Sequence, residues 1–183
     1  VHSSADAMAA LVREHGLKAD DVKSIRARLA ADSVSLVCEP IEKKRRPGSG
    51  YDAQFSVPYA IASILVRGQL TLAELEPEAF TDPEILAQCD KVTCEPDAGS
   101  AYPKYFSGEV IVTTHDGREL THREQINRGA DERPLSAEEI TAKFRANAEL
   151  TFASDRVEQV LDAIMDLDGN STPTQVAELL SPA

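Results

Sequence analysis

An α+β fold, with an antiparallel sheet carrying helices and a run of further helices at its C-terminal end, is what the sequence predicts. Three observations lead there. "EVIVTT" and "RELTHREQI" alternate apolar and polar residues on either side of His115-Asp116-Gly117, a turn-forming tripeptide, and so predict a hairpin. Two apolar helical segments precede that hairpin and supply material to cover a sheet. From Pro134 onward the pattern is purely helical, beginning with a Ser136/Glu139 capping box. The expected organisation is an α+β unit over 1–133 followed by helices over 134–183.

The first helix is expected over Ala5 to His15, capped by Ser3 or Ser4, with Ala7, Met8, Leu11 and Val12 on its apolar face and Gly16 as its stop. "DDVKSIRARLA" alternates well enough for a strand. "DSVSLVCEP" then leads into "EKKRRPGSGY", whose Lys43, Lys44, Arg45 and Arg46 form the one basic cluster of the chain, set in a Pro/Gly/Ser loop. "AQFSVPYAIASILVRG" is apolar nearly all round, which predicts a buried helix from Gln54 to Arg67 with Pro58 in its first turn and Gly68 ending it. Asp82 and Pro83 open a short helix, and "KVTCEP" is a strand. After Pro134, Ile140, Phe144 and Ala148 line one helix face, and Val157, Val160, Leu161 and Ile164 another.

The chain has 183 residues, 42% hydrophobic and 27% charged, which suffices for a real core. Its net charge of −12 argues against nucleic acid, because phosphate binding needs a surplus of lysine and arginine; 5% aromatics offer no stacking platform. The longest apolar run, Val57 to Val66, is half of the roughly 20 residues that a membrane span needs. A cytoplasmic protein is therefore expected. Cys38, Cys89 and Cys94 make no CxxC pair and are read as buried thiols. "DLDGNSTPTQVAE" starts like a calcium loop but has Ser171 where the tight turn needs Gly and Ala177 where a bidentate Glu belongs. His2 and Asp6 lie four apart, as two metal ligands on a helix do, yet no third ligand has a recognisable spacing, and no metal is expected. "GSG" at 48–50 lacks the Gly-Lys-Ser/Thr ending of a phosphate loop.

Six stretches, in order, resemble the C-terminal half of the MmgE/PrpD family of 2-methylcitrate dehydratases, cis-aconitate decarboxylases and iminodisuccinate epimerases: "HSSADAM", "AQFSVPYAIA", "RGQLTLAEL", "DPEI" with "KV", "VIVTTHDGRE" and "GADERPLSAEEITAKFR". The resemblance implies that residues 1–133 form a lid domain and that 134–183 dock on an all-helical domain that would precede Val1. It also implies a homodimer when the chain is full length and a reaction without cofactor. The expected chemistry is proton removal next to a carboxylate of a di- or tricarboxylic acid, completed by loss of water as in 2-methylcitrate dehydratase, with decarboxylation or epimerisation as alternatives. Such a weak carbon acid needs a placed base and donors where enolate charge develops.

His2 matches the family's active-site histidine in a His-x-x-x-Asp element and is the expected catalytic acid or base. Gln54 and Ser56 are expected near substrate carboxylates. Gln54 stands where many members have Lys before Phe-Ser, so Lys43, Lys44, Arg45 and Arg46 are expected to supply cationic contacts. A non-catalytic interaction module, binding a partner through its terminal helices, is the reading from outside enzymology.

Overall fold

The computed structural model describes residues 1–181, which divide into two compact units, Val1–Pro134 and the segment from Leu135 onward. In the first unit a four-stranded sheet is built from β1 (Val22–Leu29), β2 (Val92–Pro96), β3 (Gly108–Thr114) and β4 (Glu119–Glu124), in the order β2-β1-β3-β4. β1 pairs antiparallel with β3, and β3 with β4, but β1 and β2 run parallel, with Ile25 opposite Val92 and Leu29 opposite Pro96. The sheet is thus mixed, not purely antiparallel as expected. The cause lies in the connection: every helix from residue 31 to 89 intervenes between β1 and β2, and a crossover of that length is what a parallel pair requires.

Seven helices accompany the sheet: α1 (His2–His15), α2 (Ala31–Val37), α3 (Ile41–Arg45), α4 (Gly50–Gln54), α5 (Val57–Arg67), α6 (Pro77–Phe80) and α7 (Pro83–Cys89). α1 begins earlier than expected, and Ser3 and Ser4 are not its caps: both lie buried in its first turn. The basic cluster lies mainly on α3 rather than in a loop, and "DSVSLV" is helical as α2. The single helix expected from Gln54 is two, because Ser56 turns extended and caps α5 by accepting from the Tyr59 amide, with Pro58 behind it. Gly16 and Gly68 end α1 and α5 in the left-handed conformation that glycine adopts without penalty.

α1 and α5 cover one sheet face. Met8 and Leu11 of α1, Ile61 of α5, Ile25 of β1 and Val110 and Val112 of β3 join one core cluster, each such aliphatic contributing roughly 1.5–3 kcal/mol by burial. A smaller cluster of Tyr59, Ala62, Ile85 and Cys89 seals α5 against α7. The other sheet face carries ion pairs: Arg28 meets Glu95 at 3.2 Å and Glu109 at 2.7 Å, and Arg123 meets the almost fully buried Asp97 at 2.5 Å.

The second unit contains α8 (Ala137–Ala148), α9 (Ser154–Met165) and α10 (Pro173–Leu180). The Ser136/Glu139 capping box opens α8 as expected, and Thr172 with Gln175 forms another before α10. Arg145 grips Glu158 with both Nε and Nη2, at 2.6 and 2.9 Å, tying α8 to α9. No helix among the described residues is long and apolar enough to cross a membrane.

Candidate functional site

Where His2 sits is decided by how α1 meets β3. The Ser3 hydroxyl donates to the Phe106 carbonyl, and Gly108, which opens β3, packs tightly against that turn: a Cβ there would stand 3.0 Å from Ser3 Cβ and 3.2 Å from the Ser4 nitrogen, so the turn would have to give way. This pins the first turn of α1 to the sheet and leaves His2 exposed. One turn on, Asp6 is partly buried and faces Arg128, whose Nη1 lies 3.7 Å from its Oδ1. Burial pushes the Asp6 carboxyl above the ordinary carboxylate range; Arg128, Arg133 and His2 oppose that shift, and Glu124 reinforces it.

Around this pair the charges alternate. Glu124 of β4 pairs with Arg133, which also donates to the Ile126 carbonyl at 2.8 Å. His122, two residues before Glu124, places Nε2 3.2 Å from the Glu124 carboxylate and Nδ1 3.8 Å from that of Glu14. Arg128, Arg133, Glu124 and His122 were not singled out by sequence reasoning, although "NRGADERP" directly follows the hairpin that was. The available signal was two arginines flanking a turn just beyond β4; what they face is a matter of tertiary packing.

The predicted carboxylate-binding residues gather around the α3–α5 corner, mostly in each other's service. Lys44 Nζ donates to the Phe55 carbonyl at 2.7 Å, and the buried Ser56 hydroxyl returns a bond to the Lys44 carbonyl at 2.5 Å. Arg46 reaches Asp90 at 2.7 Å and the Leu86 carbonyl at 3.2 Å, fastening α3 to α7. Arg45 donates to the Val92 carbonyl at 2.6 Å, yet its Nε is buried with no hydrogen-bond partner among the described residues. Lys43 and Gln54 are exposed.

Arg45 lines an open cleft of about 710 Å³ between α2, α3 and β2, together with Val34, Cys38, Glu39 and Cys94. The hydrogen bond that the Cys94 thiol shares with Cys38, then burial, raise that thiol well above its ordinary range, while Arg45 and the amino group of Val1 pull it back. Val1 and Arg45 thus both lie near Cys94, which brings the start of α1 and the arginine to one corner of the unit. The buried Cys89 thiol, on α7, is pushed up to about 12, chiefly by burial. Among the described residues no three His, Cys, Asp or Glu side chains converge to hold a metal ion.

The fold belongs to a known class of protein: the chain is a member of the MmgE/PrpD family, matching the MmgE/PrpD C-terminal domain over residues 1–167. It is 30% identical to human cis-aconitate decarboxylase over 175 residues and 29% identical to the mouse enzyme of the same name over 176, in each case 91% of this chain and 34% of the relative. The cis-aconitate decarboxylase-like protein oryM of Aspergillus oryzae is 27% identical over 139 residues, 75% of this chain and 28% of that protein. The chain spans about a third of the length of the curated relatives it matches.

Proposed function

We propose that this chain is the lid portion of a cofactor-independent lyase acting on a small di- or tricarboxylic acid, with His2 as the group that moves the proton. In this reading residues 1–133 form the lid, 134–183 return to a helical domain, and the complete enzyme is a cytoplasmic homodimer. The supporting observation is His2 at the exposed start of α1, fixed by the tight α1–β3 contact and set one turn from Asp6, in a member of this family. The similarity to cis-aconitate decarboxylases favours decarboxylation of a cis-aconitate-type acid over loss of water from 2-methylcitrate.

Decarboxylation leaves an electron pair on carbon as CO2 departs, and that carbon must take up one proton. An imidazolium at His2 supplies it and is left as neutral imidazole; the reverse assignment, imidazole as base, serves dehydration. Substrate carboxylates need cations and donors, and in this reading Arg45, which lines the cleft, and the exposed Lys43 and Gln54 supply them. Lys44, Arg46 and Ser56 keep that segment in shape.

The test takes a protein carrying this chain together with the helical domain of its family. CO2 release from cis-aconitate and water loss from 2-methylcitrate are assayed in parallel. Turnover of the first acid is expected, and His2→Ala should lower kcat by about 10²–10⁴-fold. Full activity in His2→Ala, or no consumption of any acid of this class, overturns the reading.

A further inference from the structure

Asp6 is a carboxylate from which the fold gains little. Its side chain is 26% exposed, burial raises its proton affinity, and its ion pair with Arg128 is long at 3.7 Å. A carboxyl whose folded value lies above its unfolded one withdraws stability as the pH rises through that range, so at neutral pH the ionised Asp6 is a cost. The groups facing it are His2 on its own helix, Glu124 from β4, and Arg128 and Arg133 from the segment after β4; His122 and Glu14 continue the array beyond Glu124. Of these, His2 is the i−4 neighbour on α1, where two side chains stand side by side about 5–6 Å apart at Cβ.

We infer that Asp6 is the positioning residue for His2: its carboxylate, one turn along α1 and held on its far side by Arg128, orients the imidazole and favours its protonated form. Arg128 thereby limits how much of the Asp6 charge His2 receives. The inference rests on the reading of His2 as the proton-transfer group, but the coupling between the two residues is testable without turnover.

In the 183-residue chain the four histidines are titrated by NMR, with His2 assigned through its loss in His2→Ala. Asp6→Asn should lower the His2 midpoint by about 0.5–1 unit, the size expected for removing an opposite charge at this range. Arg128→Gln should raise it. His15 and His115 should keep their midpoints in both variants, and Asp6→Asn should melt no lower than the wild type at pH 7. A His2 midpoint unmoved in folded Asp6→Asn overturns the inference; if that variant does not fold, an unmoved midpoint in Arg128→Gln does so instead. In the longer enzyme Asp6→Asn should reduce kcat with KM little changed and shift the pH profile by the same amount as the titration, with Asp6→Glu recovering part of the loss. A coupled titration alongside a fully active His2→Ala enzyme would fault the proposed function, whereas an active, His2-dependent enzyme with no coupling would fault only the role of Asp6.

Discussion

Glu74 shows the opposite balance to Asp6 within the same unit. It is 1% exposed, and burial by itself would raise its carboxyl. Three donors reverse that: Gln69 Nε2 at 2.9 Å, the Thr71 amide at 2.8 Å and the Thr71 hydroxyl at 2.7 Å hold it below the ordinary carboxylate range. Its folded value being below its unfolded one, the stabilisation is complete above about pH 4.3 and disappears as the pH falls through the folded value. Glu74→Gln should cost about 1–3 kcal/mol at pH 7, since the Thr71 amide and hydroxyl lose a charged acceptor buried at Glu74. Urea unfolding of the two proteins should converge as the pH is lowered from about 5 toward 3. Curves that stay apart at low pH would show that shape, and not charge, sets the cost. Neither Glu74 nor Asp6 announces its balance in the sequence, because the donors and cations that decide it are placed by the fold.

Gly108 makes the corresponding point for α1. Nothing about a glycine at the start of a strand says that a helix 100 residues away leans on it, yet a Cβ at that position would press on Ser3 and Ser4. Gly108→Ala should destabilise the first unit by about 1–3 kcal/mol, the usual cost of forcing an extra carbon into a packed contact. In the longer enzyme it should also lower kcat, because the turn that yields is the one bearing His2. An alanine variant with unchanged stability and activity would show the contact to be compliant. Elements whose signals are local were legible: the β3–β4 hairpin, the Asp82 cap of α7, the Ser136 box and the Gly68 stop all stand where the sequence puts them. The parallel β1–β2 pair was not, since Ile25 and Val92 meet only after a long helical crossover. The basic run was misread for a related reason: Lys44, Arg45 and Arg46 each find acceptors on distant segments, so a stretch with the composition of a solvated loop becomes a short helix.

At the scale of the whole chain the apolar surface is unevenly shared. Ile140, Leu150, Ile164, Met165, Leu167 and Leu180 are exposed large hydrophobics of the second unit, six of the eleven among the described residues, in a segment of fewer than 50 residues. Only Val157, Val160 and Leu161 are buried hydrophobics there. The α9 stripe is therefore covered along most of its length, and Ile164 at its end joins Ile140, Leu150, Met165, Leu167 and Leu180 where apolar surface still meets water. Monomers rarely expose contiguous apolar patches above a few hundred Å², so self-association of the isolated chain is expected. A net charge of −12 opposes it at low ionic strength. Screening shortens the range of that repulsion to about 10 Å at 0.1 M salt and about 3 Å at 1 M, while leaving the apolar attraction in place. Sedimentation velocity should accordingly show mainly monomer in dilute buffer and a rising share of dimer or larger species as salt and protein concentration increase. The double variant Ile140→Glu, Ile164→Glu should stay monomeric under the same conditions without disturbing the hairpin, because neither residue belongs to the first unit. Leu161→Asp is the poorer probe, since Leu161 is 8% exposed and a charge there would unsettle the helices themselves. A wild-type chain that remains monomeric from low to high salt would mean that these residues do not form one continuous adhesive surface.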